Sequence, residues 1–234
     1  MHLDALAIEA DDPTALARFW SRALEAPALD RGPFGIEIAT PVVSLLLVSA
    51  CPSPSDRDHD QVTRIHLDLD GGHDHHAHAE RLVTLGAERR DIGQGDAPWE
   101  VLADPEGNLF CVMPGSRYEG VGPALGSVPV DCARPEVDRN FWAGVLGWAP
   151  VDVHGRGLRH PDGGGFVLQF CDELAPKPPG VRNSLTPVLR SGPGEVDPRT
   201  RLTDLGARPV ESERGSPWRV FADPSGNEFR IPAR

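Results

Sequence analysis

The chain has 234 residues, is 39% hydrophobic and carries a formal net charge of -12. That acidity argues against a nucleic-acid partner, which needs a basic face, and no apolar run approaches the roughly 20 residues that span a bilayer. Cys51, Cys111, Cys132 and Cys171 form no CxxC pair, which argues against a zinc finger or a disulfide framework. The start, Met1-His2-Leu3-Asp4-Ala5, lacks the basic and apolar regions of a signal peptide, so the expected location is cytoplasmic.

Residues 3–10 alternate, with Leu6, Ile8 and Ala10 on one face and Ala5, Ala7 and Glu9 on the other, the pattern of a half-buried strand. Asp12 and Pro13 supply an N-cap and a proline at the first helical position. Leu16, Phe19, Trp20, Ala23 and Leu24 then recur at helical spacing, which predicts an amphipathic helix over 13–25. Strands are predicted over 34–40 and 42–49, and a loop over 51–61, rich in Ser, Pro and Asp. The order then restarts. Residues 64–70 place Ile65, Leu67 and Leu69 on one face and His66, Asp68 and Asp70 on the other. A helix is predicted over 75–85, stopped by Gly86.

The run Pro98-Trp99-Glu100-Val101-Leu102-Ala103-Asp104-Pro105-Glu106-Gly107-Asn108-Leu109-Phe110 reads as two strands around a tight turn. It returns as Pro217-Trp218-Arg219-Val220-Phe221-Ala222-Asp223-Pro224-Ser225-Gly226-Asn227-Glu228-Phe229. Between the copies, residues 114–126 are rich in Gly and Pro and read as a linker. Beyond it come a strand over 128–132, a helix over 135–146, further strands, a Pro-rich loop, a strand over 185–190 and a helix over 198–205. The chain is an internal duplication of four strand–helix–strand–strand–strand modules. Both Cys51 and Cys171 fall at matching places of the repeat. A separate cluster, His73, His75, His76 and His78, opens the second helix, on the side expected to face solvent away from any cavity.

In order and spacing these motifs closely resemble the glyoxalase-like branch of the vicinal oxygen chelate superfamily. It includes glyoxalase I, extradiol dioxygenases, fosfomycin-resistance enzymes and bleomycin-binding proteins. The resemblance implies an α+β fold of four βαβββ modules, paired into two tandem half-barrel domains over 1–114 and 127–234, with 115–126 as linker. It implies helices on the convex faces and a concave ligand site in each domain. Under that pairing the first cavity is lined by Glu9, His66, Asp68, Asp70 and Cys111. The second is lined by Asp131, Thr186, Arg190, Glu228 and Arg230, with Trp99, Trp218 and Gln169 as neighbours.

Metal-dependent members carry ligands at fixed strand positions, which read here Ala5, His66 and Cys111, then Ser127, Thr186 and Arg230. A catalytic ion wants at least three N, O or S donors, and these sets offer two at best, so no metal is the first expectation. The alternative is zinc or iron held by His66 and Cys111 with a third donor such as Glu9. His66 and Asp68 lie ~6.5–7 Å apart along the strand, too far for a direct bond unless their side chains lean together. Arg230 reads either as a clamp for an anion or as half of a buried pair with Glu228. The resemblance implies a small-molecule ligand and a monomer or homodimer. Two functions follow: an enzyme of lyase or isomerase type with His66 and Asp68 as working residues, or a non-catalytic binder using Trp99, Trp218 and the polar cavity residues.

Overall fold

The computed structural model describes residues 1–50, 63–115, 125–152, 156–163, 165–192, 197–212 and 215–233. The loop expected over 51–61, Cys51 and most of the linker expected over 115–126 lie outside these residues. The first module comprises β1 (His2–Ala10), α1 (Pro13–Ala23), β2 (Ala28–Asp30), β3 (Ile36–Ile38) and β4 (Ser44–Ser49). The second comprises β5 (Leu67–Asp70), α2 (His75–Leu85), β6 (Glu88–Arg89), β7 (Glu100–Ala103) and β8 (Leu109–Met113). The third has β9 (Leu125–Cys132), α3 (Pro135–Leu146), β10 (Ala149–Val151), β11 (Gly157–Arg159) and β12 (Val167–Asp172). The fourth has β13 (Leu185–Arg190), α4 (Arg199–Leu205), β14 (Arg208–Val210), β15 (Trp218–Ala222) and β16 (Glu228–Pro232).

Local chemistry explains most of these boundaries. The Asp12 carboxylate accepts from the backbone N–H groups of Thr14 and Ala15 at 3.0 and 2.9 Å, which starts α1. The helix stops two residues short of expectation, where Glu25 takes a φ of 52°. Gly86 ends α2 in the left-handed region at φ 118°. The strand expected over 34–40 is shorter because a 3-10 turn, Gly32–Phe34, precedes it. Gly35 then passes so close to β4 that a Cβ there would lie 2.2 Å from the Leu47 carbonyl oxygen. β5 starts later than residue 64 because Ile65 makes only an isolated bridge to Val130.

The modules do not pair in chain order. One sheet runs β14-β15-β16-β13-β1-β4-β3-β2 and so joins the first module to the fourth. The other runs β10-β11-β12-β9-β5-β8-β7-β6 and joins the second to the third. We call them the outer-module and inner-module sheets. The leading strands pair antiparallel at each centre, with Ala7 opposite Thr186 in one and Asp68 opposite Ser127 in the other. The cavity membership expected from consecutive pairing is therefore wrong. Glu9 belongs with Thr186 and Arg230, and Asp131 belongs with His66, Asp68 and Cys111.

The first and second modules, and the third and fourth, are instead joined through helices and turns. The Trp20 indole N–H of α1 donates to Asp104 in the second module's hairpin turn at 3.1 Å, and Trp142 of α3 donates to Asp223 at 3.2 Å. Phe110 and Phe229 sit edge-on against these indoles at 5.2 and 5.3 Å. Within each turn the Asp organises its own loop: Asp104 accepts from the backbone N–H groups of Glu106 and Asn108, and Asp223 from those of Ser225 and Asn227. The repeated Phe-Trp and Asp-Pro-x-Gly-Asn motifs thus meet across the module boundary. Arg64, 4% exposed, adds a link between the sheets: it donates to Asn227 at 2.9 Å and to Glu173 at 2.7 Å.

Candidate functional site

Strand register places one row of polar side chains on a single face of the inner-module sheet. Asp68 on β5 lies opposite Cys111 on β8 and Ser127 on β9. Farther along β9, Pro129 lies opposite Gln169 and Asp131 opposite Cys171, both on β12. Side chains two apart on a strand share a face, so His66 joins this row. The other face carries Leu67, Leu69, Phe110, Val112, Val128 and Val130, all buried in the core beneath the helices.

His66, Asp68 and Cys111 converge. His66 Nε2 lies 3.3 Å from Asp68 Oδ1, so the two side chains do lean together, and the gap anticipated along the strand is closed. Ser127 Oγ donates to the other Asp68 oxygen at 2.7 Å, which fixes the carboxylate. One donor atom from each of His66, Asp68 and Cys111 lies within 4.8 Å of the other two. Among the described residues no other group of three His, Cys, Asp or Glu side chains does this. The third donor is Asp68; Glu9, considered from sequence, is on the other sheet.

The electrostatics follow from burial and proximity. Desolvation would strip the proton from His66, but hydrogen bonds and charge from Asp68 and Cys111 outweigh it, raising the imidazole to about 10. Burial pushes the Cys111 thiol up despite the pull of His66. Asp131 is raised to about 6 by burial, tempered by the positive charges of His66 and Arg64. Cys171 is raised to about 11, again chiefly by burial. Without a bound ion the centre is an imidazolium–carboxylate pair beside a neutral thiol.

The outer-module sheet gathers a different set. Arg230 donates to Thr186 Oγ1 at 2.9 Å and makes a short ion pair with Glu9. The expected Arg230–Glu228 pair is not formed; Glu228 accepts from Lys177 at 2.5 Å and from the Asn183 backbone at 3.1 Å. Arg190 does not join Arg230 either: it is exposed and paired with Asp4 at 2.7 Å. Trp218 lines a cavity of about 450 Å³ with Glu9 and Arg230, whereas Trp99 packs half-buried against the core. On α2, His75 and His78 are half-buried rather than open to solvent, and the Nε2 atom of each is buried without a hydrogen bond. Ser127, which anchors Asp68, was legible only as a family ligand position.

The sequence profile of the glyoxalase-like domain family matches residues 5–113 and 127–232. The chain belongs to this family. Glyoxalase I from Zea mays has a similar fold, with a TM-score of 0.62 at 13% identity, covering 99% of this chain and 92% of that one. A Bacillus subtilis protein provisionally described as a dioxygenase gives a TM-score of 0.57 at 13% identity, covering 99% and 84%. At that identity the likeness is one of fold. No curated protein matches the sequence significantly. The family match brackets one module pair in each segment, while each sheet draws a module from both segments.

Proposed function

We propose that this glyoxalase-like protein is an enzyme of lyase or isomerase type that works on a small polar molecule at the inner-module sheet. The observation that carries this reading is the convergence of His66, Asp68 and Cys111 within 4.8 Å. One nitrogen, one oxygen and one sulfur donor suit a borderline divalent ion such as zinc or iron(II). Donors sharing a tetrahedral ion at ~2.0–2.3 Å bonds stand ~3.3–3.8 Å apart, so modest side-chain rotations would bring all three to bear. The proton that Asp68 and Cys111 keep on His66 is the charge a divalent ion would displace. Bound there, such an ion would polarise a substrate oxygen as a Lewis acid.

The chain's own residues supply the rest. Ser127 holds the Asp68 carboxylate in place. Asp131, raised to about 6 by burial, is suited to take and return a proton near neutral pH. The side chain of His66 keeps about a quarter of its surface open, which leaves a side for substrate to approach. The alternative of pure binding lacks a comparable observation at this sheet.

Elemental analysis of untagged protein, loaded with zinc or iron(II) and dialysed, tests the reading. The expected result is close to one ion per chain, lost in both His66→Ala and Cys111→Ala. Retention of the ion in those variants and its loss in His75→Ala with His78→Ala would move it to α2 and overturn the assignment.

A further inference from the structure

The outer-module sheet has no comparable donor trio among the described residues, yet it bounds the cavity of about 450 Å³ noted above. That space lies within the ordinary range for a small-molecule pocket, ~300–1,000 Å³. Its charged lining residues are Glu9, Arg182 and Arg230. Glu9 and Arg230 neutralise each other, and Thr186 accepts a hydrogen bond from the Arg230 Nε. Arg182, half-buried in the loop before β13, has no carboxylate partner among the described residues. Arg182 also lies near enough to oppose the Arg230 charge. Among the described residues, the charges lining this cavity therefore sum to one positive, in a chain of net charge -12. Trp218 and Phe34, edge-to-face at 5.2 Å, form the apolar wall beside it.

We propose that this cavity is a second, separate binding site for a monoanionic carboxylate carried on a flat apolar body. The carboxylate meets Arg182 and the outward edge of Arg230, whose position is set by Glu9 and Thr186. The flat body lies against Trp218 and Phe34. A guanidinium held in place loses little freedom when it pairs, and its fork matches a carboxylate. A monoanion balances the site, whereas a cation would face two guanidiniums. The site stands independently of the metal reading at the inner-module sheet.

The test uses 2-naphthoate and its neutral counterpart 2-naphthamide against the full chain, read by tryptophan fluorescence and thermal shift. The expected result is saturable binding of naphthoate with Kd below about 1 mM, quenching of Trp218, and binding of the amide at least about tenfold weaker. Arg182→Gln, a change in a half-exposed loop, should weaken naphthoate at least about tenfold while the unliganded melting temperature holds. Trp218→Phe should remove the fluorescence response but keep the thermal shift. Equal affinity for acid and amide, unchanged binding in Arg182→Gln, or no saturable binding would overturn the proposal. So would loss of naphthoate binding in His66→Ala with retention in Arg182→Gln, which would place the probe at the other sheet.

Discussion

His66 and Asp68 show what a strand pattern does and does not reveal. Alternation over 64–70 puts both on one face, and that much follows from the period of two. The 3.3 Å contact between them depends on rotamers and on Ser127, which reaches Asp68 from a strand of the other half of the chain. Buried Asp223 carries a consequence that can be measured. Burial and the neighbouring Asp138 raise it to about 7 against the donors around it. Its folded value thus lies above its unfolded one, so its stabilising contribution is present below pH ~4 and is lost as pH rises through about 7. The stability advantage of the wild type over Asp223→Asn should therefore shrink between pH ~4 and ~7, by at most about 1.4 kcal/mol per pH unit. Parallel urea melts at several pH values would check this; an advantage that grew with pH would contradict it.

At the scale of elements, the two duplicated motifs turn out to be the two halves of one joint. The Phe-Trp helix of one module and the Asp-Pro turn of the next meet through an indole N–H, a carboxylate and an edge-on phenylalanine, and the chain builds this joint twice. Trp142→Phe keeps the ring but removes the donor to Asp223, leaving a buried carboxylate short of a partner. Such a loss costs about 1–3 kcal/mol, to be read from the shift in urea midpoint. Gly35 holds the wall of the outer cavity against β4 at a φ of 110°, where no L side chain fits. Helices α2 and α3 were legible to the residue, because Gly86 and Gly147 mark their ends in the left-handed region. The short β5 was not, because its pairing shifts register after Asp68, and that irregularity leaves no trace in the hydrophobic pattern.

For the whole molecule, the duplication was readable and the pairing of modules was not. Each leading strand buries the same residues whichever other leading strand it meets. Pairing the first module with the second, or the first with the fourth and the second with the third, therefore satisfies the same local pattern. The outcome is that Glu9 finds Arg230 across 221 residues, and Asp131 joins His66 from the other half of the chain. Because each sheet takes one module from each half, a fragment of residues 1–114 exposes the inner edges of both β1 and β5. It should fail to form a stable folded monomer, and should recover structure when mixed with a fragment of residues 125–234. Circular dichroism and light scattering would check this, and a cooperatively folded 1–114 monomer would contradict it. The intact chain pairs the leading strands of both sheets internally.

His66, Asp68 and Cys111 are the three donors of the proposed metal centre. Cobalt(II) titration of the metal-free protein tests it most directly, because a thiolate ligand gives cobalt an intense near-ultraviolet charge-transfer band and tetrahedral coordination gives strong visible absorption. Both should saturate at one equivalent in the wild type. In Cys111→Ser the charge-transfer band should vanish, and His66→Ala should weaken binding by an order of magnitude or more. A wild type without the charge-transfer band, or a band that survives in Cys111→Ser, would contradict the assignment.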